Sequence, residues 1–284
     1  GAGTFTVSRD AGTIEFTGKF EGNQGMGRYK FSADKAYYDA MKKEGIELDD
    51  DREQMVYFMV DVKRNYVQML KNNGYKNINK DELIPLSALK VDEAFINSFK
   101  NKGFKEVPLD DLIPLKAVGV TPEYIDEIRN AGYKDVSLDQ LVTFKAQNIS
   151  GKYIADMRSL KAKGKEDKSK DDKSKDDDDN DRGSGGTSAH NIVALKALEI
   201  TSAYINSLKE VGYDNLDEGE LIAMKAQGIS ADWIRKLKAD GFGQLSAHDL
   251  IAIKTHDITM EYLKSFESVG FPKVSVQQSP GLKV

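Results

Sequence analysis

Apolar positions along this chain recur at a fixed interval. Gly74, Gly103 and Gly132 are spaced by 29 residues, as are Gly212, Gly241 and Gly270. Each precedes an aromatic ring: Tyr75, Phe104, Tyr133, Tyr213, Phe242 and Phe271. Between the glycines, Leu83, Leu112 and Leu141 correspond to Ile192, Leu221 and Leu250. Phe95, Tyr124 and Tyr153 correspond to Tyr204, Trp233 and Tyr262, and Ile96, Ile125 and Ile154 to Ile205, Ile234 and Leu263. A period of this length marks a repeat architecture rather than a single folded core. The register defines six repeats.

Each repeat predicts two short helices. The first opens at Asn79, Ser137, Ser188, Asp217 or Ser246, whose side-chain oxygens can accept from the free N–H groups of a first helical turn. Glu82, Gln140 and Glu220, three residues on, complete capping boxes. Pro108 takes the cap position in the second repeat. Gly119, Asn148 and Gly228 close the first helix with residues that tolerate a left-handed backbone. The second helix is capped by Asp92, Thr121, Ser150, Thr201, Ser230 or Thr259, and Pro122 suits its first position. Its buried face combines the repeated aromatic, the following branched residue and a third apolar position: Phe99, Ile128, Met157, Leu208, Leu237 and Phe266. Lys100, Arg129, Arg158, Lys209 and Lys238 lie in its last turn, where a cation complements the helix dipole. A two-helix repeat this small cannot bury its own apolar stripe, so neighbours must stack. The expected fold class is mainly α: an α-solenoid of 29-residue two-helix repeats. Pro85 and Pro114, inside the first helix of their repeats, should each remove a backbone bond and bend that helix.

The flanks differ. Residues 4–32 alternate as a three-stranded antiparallel β-meander, with a turn at Gly22-Asn23-Gln24-Gly25. A short helix from about Asp34 to Glu44 follows, and three strands alone are marginal, so the sheet should pack on a helix. Asp51–Asn73 reads as one helix whose second half matches the repeat, Tyr66, Val67 and Leu70 preceding Phe95, Ile96 and Phe99 by 29, but which lacks the intervening turn, as suits a cap on the array. Residues 161–187 interrupt the repeat with charged residues and no large apolar side chain, the composition of a disordered linker. The step from Arg158 to Ser188 is 30 residues where Arg129 to Ser137 is 8, so the excess is an insertion of 22 in one loop. The expected organisation is therefore a cap at 1–50, arrays at 51–160 and 188–284, and the linker at 161–187 between them.

Composition narrows the function classes. The chain has 284 residues, a formal charge of −5 and no cysteine. A net acidic chain has no general attraction to nucleic acid or anionic membrane. No apolar run approaches the roughly 20 residues needed to span a bilayer. The absence of Met at position 1 predicts a trimmed chain, with any targeting segment removed. His190 and His248 sit at equivalent positions in separate repeats, His256 lies apart, and no zinc-binding spacing occurs. Ser32-Ala33-Asp34-Lys35 and Ser87-Ala88-Leu89-Lys90 match the nucleophile motif of penicillin-recognising enzymes, but its partner sequences are missing. Gly22-Asn23-Gln24-Gly25-Met26-Gly27 lacks the glycine order of a phosphate loop. The acidic run Asp176–Asp181 lacks the glycine and glutamate of a calcium loop. No catalytic centre, metal or cofactor is expected.

One repeated feature has both a structural and a functional reading. Lys116, Lys145, Lys196, Lys225 and Lys254 recur in register, each four residues after the first apolar residue of its helix, with Ser87 in the remaining repeat. Their stems lie beside the buried stripe and can snorkel, leaving the ammonium groups at the surface. A row of cations on one solenoid face could hold an acidic peptide or polyanionic glycan.

The phrases Leu115-Lys116-Ala117-Val118-Gly119-Val120-Thr121-Pro122-Glu123-Tyr124-Ile125 and Lys225-Ala226-Gln227-Gly228-Ile229-Ser230 resemble a tandem repeat of bacterial envelope proteins, often found beside beta-lactam-sensor-type membrane metallopeptidases. The stretch Gly12–Phe31 resembles the Gly-rich β segment leading into such arrays. The resemblance implies an extracytoplasmic, non-catalytic accessory region that binds a protein, peptide or envelope polymer, and no peptidase activity carries over. The helix-turn-helix outline is also similar to the helix-hairpin-helix DNA-binding motif. Thr121, Ser150, Thr201 and Ser230 stand where that motif has its second glycine, so nucleic acid is not the expected partner. An enzymatic or metal-dependent sensor built on the N-terminal sheet is the other alternative. The chain is expected to act as a monomer.

Overall fold

The computed structural model describes residues 1–162 and 187–268. It is mainly helical, with a small sheet at the N-terminus followed by fifteen helices among the described residues. Two compact units are present, Gly1–Pro122 and Glu123–Val284. The linker expected at 161–187 and the C-terminal residues after Ser268 lie largely outside the described residues.

In the N-terminal unit, β1 (Ala2–Arg9), β2 (Gly12–Glu21) and β3 (Gln24–Ala33) form an antiparallel meander in the order β1-β2-β3. Ile14 of β2 pairs with Val7 on β1 and Phe31 on β3, and Phe16 with Phe5 and Tyr29, so apolar residues share one face. Only the near end of that face meets helices. Ile14 is buried, and Phe31 lies 5.5 Å from the Phe58 ring. The Arg9 guanidinium sits over the same ring, 5.2 Å from its centroid, and donates to the carbonyls of Phe58 and Met59. Those are C-terminal carbonyls of a helix, which lack intrahelical donors, so one arginine both caps that helix and fixes the sheet to it. The far end keeps Phe5 and Tyr29 exposed, with Phe5 stacked on Phe16 at 4.7 Å.

The helices of this unit are α1 (Lys35–Lys43), α2 (Asp51–Met59), α3 (Tyr66–Asn72), α4 (Lys80–Ala88), α5 (Glu93–Asn101) and α6 (Leu109–Val118). The single helix expected over Asp51–Asn73 is in fact two. Asp61 adopts a left-handed backbone (φ 60°) and Val62 N–H returns to the carbonyl of Tyr57, ending α2 as a C-terminal left-handed cap does. This turn belongs to the series Asp61, Lys90, Gly119, Asn148, Glu199, Gly228 and Asp257, all at positive φ. The repeat thus begins one hairpin earlier than the glycines suggest. It reaches even α1, whose buried Tyr37 and Met41 precede Tyr66 and Leu70 by 29. The disguise is chemical: Asp and Lys at the left-handed position, Gln54 where other repeats carry leucine or isoleucine, and Tyr57 where they carry Leu, Phe, Met or Ile, hide the period. Asp is tolerated there because its short polar side chain can bond locally. Helices α4 and α6 run unbroken through Pro85 and Pro114.

The C-terminal unit contains α7 (Pro122–Asn130), α8 (Leu138–Ala146), α9 (Gly151–Ala162), α10 (Ala189–Ala197), α11 (Ser202–Glu210), α12 (Glu218–Ala226), α13 (Ala231–Ala239), α14 (Ala247–His256) and α15 (Met260–Ser268). First helices pack on first helices, α8 on α10 on α12 on α14, and second on second, α9 on α11 on α13. That is the stacking of a solenoid, and it continues across the insertion. Tyr153 donates to the carbonyl of Ile200 and Tyr133 to that of Thr187.

The local signals act as read. Ser137–Gln140, Asp217–Glu220 and Asn79–Glu82 form capping boxes, joined by Ser246–Asp249. Asp92, Ser150, Thr201, Ser230 and Thr259 accept from the backbone three residues on. The core is the apolar stripe: Leu141, Phe144, Ile149, Ile154 and their equivalents from Leu83 to Ile258 are buried, while Leu263 in the last described helix is half-buried. At roughly 1.5–3 kcal/mol per fully buried large apolar side chain, this stripe is the main source of cohesion.

Candidate functional site

The repeated aromatic and the repeated lysine form one motif, built between consecutive hairpins. In the N-terminal unit the Lys116 ammonium of α6 lies 4.4 Å from the centroid of the Phe95 ring of α5. In the C-terminal unit Lys145 lies 4.5 Å from Tyr124, Lys196 4.9 Å from Tyr153, Lys225 4.7 Å from Tyr204 and Lys254 5.1 Å from Trp233. The ring stands in the first turn of a second helix, and the lysine reaches it from the first helix of the next hairpin. Each pair is 21 residues apart, save Tyr153 and Lys196, which the insertion separates further. The pairing survives that insertion unchanged.

A cation over a ring face gains about 0.5–1 kcal/mol where water still reaches it. The rings are half-buried, apart from the more deeply buried Tyr124, and four of the five lysines are half-buried, Lys254 being exposed. The expected buried face of the second helix is therefore corrected at its aromatic position: the branched neighbour fills the core, while the ring lies at the edge beneath an ammonium. No carboxylate lies within ion-pair distance of these five ammonium groups among the described residues. Snorkelling, as the sequence implies, places the stem along the stripe, but the ring also seats the charge.

Where the ring is tyrosine, its hydroxyl donates across the same boundary. Tyr66 donates to the Val91 carbonyl at 2.6 Å, Tyr124 to Ile149 at 2.7 Å, Tyr153 to Ile200 at 3.2 Å and Tyr204 to Ile229 at 2.8 Å. Burial of the hydroxyl pushes all four phenols up, Tyr153 and Tyr204 to about 12. A second series crosses the same boundary. The last-turn cations do more than face their own helix dipole. Lys71, Lys100, Arg158 and Lys238 donate to the carbonyls of Glu44, Asn73, Ala131 and Val211, at the C-terminal end of the preceding second helix. The spacing of 27 between donor and acceptor could have revealed it, had the stacking order been known.

Among the described residues no three His, Cys, Asp or Glu side chains come together as a metal site would require. No helix there is long and apolar enough to cross a membrane. Ser32 and Lys35 fall at the end of β3 and the start of α1, and Ser87 and Lys90 at the end of α4. Comparison with protein-family models, with curated proteins and with solved structures finds no match to this chain.

Proposed function

We propose that this protein is a non-catalytic helical-repeat interaction module whose lysine ladder holds an extended acidic ligand. The observation that carries the reading is that Lys145, Lys196, Lys225 and Lys254 project from consecutive packed first helices, each ammonium oriented by a ring and none neutralised by a carboxylate among the described residues. Helices that pack side by side are about 8–10 Å apart. An extended peptide advances about 3.3–3.6 Å per residue, so a carboxylate at every third residue would meet successive rungs. An acidic peptide segment therefore fits better than a compact anion. By its resemblance to envelope repeats, the module would work outside the cytoplasm, and no cofactor is needed for this role.

The test is titration of the protein with oligoglutamate at low and moderate salt. Binding should saturate and weaken steeply with salt, as expected for exchange of screened charge. It should fall at least tenfold when Lys145, Lys196, Lys225 and Lys254 are together replaced by Gln. Equal affinity in the folded quadruple variant would rule the ladder out as the binding face.

A further inference from the structure

At one rung of the ladder the lysine is missing. Ser87 of α4 stands where α6, α8, α10, α12 and α14 carry lysine, and the ring it would serve is Tyr66 of α3. Among the described residues neither a cation nor another ring lies against Tyr66. The Ser87 hydroxyl is buried and has no hydrogen-bond partner there. Beside them runs a groove of about 500 Å³, bounded by Tyr66, Met69, Ser87 and the turns at Asp61 and Lys90. The equivalent groove at Trp233, where Lys254 is present, has about 350 Å³.

We propose that this groove is a docking socket for a lysine side chain presented by a partner protein, which would complete the rung as Lys116 completes the next one. Three observations choose that occupant. The chain itself satisfies five equivalent rings with a primary ammonium at 4.4–5.1 Å, so the ring position is shaped for that group. The charge around the groove suits a cation: Lys63 is paired with Asp61 at 2.8 Å, leaving the carboxylates of Asp92 and Glu93 against the single ammonium of Lys90. The Asp92 side chain lines the same groove as the Tyr66 ring while capping α5. Finally, the groove is much larger than an ammonium ion and has room for an alkyl stem beside Met69 and Val91. The assignment does not depend on the other lysines binding an acidic ligand.

The experiment is a titration of the whole protein, followed by backbone and aromatic NMR, with three probes: Nα-acetyl-lysine N-methylamide, its norleucine analogue and butylammonium chloride. The lysine probe should shift Tyr66, Ser87 and Asp92 saturably and leave Tyr124, Tyr204 and Trp233 still. The uncharged norleucine probe should bind at least tenfold more weakly. Ser87→Lys should supply the missing ammonium from within, raise the melting temperature and abolish the response. Ser87→Met, which fills the groove without a charge, should abolish it too and covers a failure of the lysine variant to fold. Equal response to the norleucine probe, equal shifts at the filled rungs, or a response persisting in both folded variants would overturn the proposal. Tighter binding of butylammonium than of the lysine probe would overturn the assignment to a partner's side chain.

Discussion

Replacing Tyr204 by Phe removes one oxygen from one rung, and the structure sets what that should cost. The hydroxyl donates to the Ile229 carbonyl at 2.8 Å, at a buried turn immediately after the left-handed Gly228. An intramolecular hydrogen bond contributes a net of about 0.5–1.5 kcal/mol, and an acceptor left buried without a partner costs about 1–3 kcal/mol. The lower end applies here, because Phe95 and Trp233 occupy the same position in other hairpins without a hydroxyl to offer. We therefore expect a loss of about 1 kcal/mol, read as a lower denaturant midpoint with an unchanged slope. Tyr29→Phe is the control: its ring is 60% exposed at the far end of the sheet, and its stability change should stay within about 0.5 kcal/mol. Tyr204→Phe should also delete a phenol that burial pushes up to about 12. A Tyr204→Phe protein as stable as its parent, or a lost phenol of ordinary pKa, would refute the argument that these hydroxyls bridge consecutive hairpins.

Further expectations rest on other contacts. Gly151→Ala should destabilise by about 1–3 kcal/mol, measured by thermal or chemical unfolding, because a Cβ there would lie 2.8 Å from Glu127 Cγ and 2.9 Å from the Glu127 carbonyl oxygen. Leu208→Ala, at a fully buried site of α11, should cost about 2–5 kcal/mol in the same assay. Alkaline unfolding should follow the phenols. Their folded pKa values are raised, so the contribution they make is whole below the usual tyrosine pKa and lost as pH rises from about 10 through about 12. Stability that stays level over that window would contradict the assigned burial.

What the sequence disclosed follows from which interactions are local. Caps such as Ser137 with Gln140, and left-handed closures such as Gly119 and Asn148, act within a few residues, so residue type and spacing suffice to find them. The branched stripe repeats because every hairpin buries the same face. The turn of the first hairpin carries no glycine or asparagine signal because Asp61 takes the left-handed position, and α2 has Phe58 at the ladder position, where it meets Phe31 of the sheet. The ladder itself was half legible. The lysines and the rings could each be found, but their pairing joins residues of different hairpins. Only the stacking order brings Lys225 to Tyr204 rather than to Trp233 in its own hairpin. The carbonyl contacts of Lys71, Lys100, Arg158 and Lys238 were hidden for the same reason.

The claim that the repeated side chains join one hairpin to the next is tested most directly at Tyr153 and Lys196, which lie on opposite sides of the insertion. A double-mutant cycle with Tyr153→Leu and Lys196→Met isolates their coupling from the separate losses of ring packing and hydroxyl. The account predicts about 0.5–1 kcal/mol, matching the value for Tyr204 and Lys225 within the uninterrupted stack. A coupling of zero for the first pair beside a measurable one for the second would contradict it.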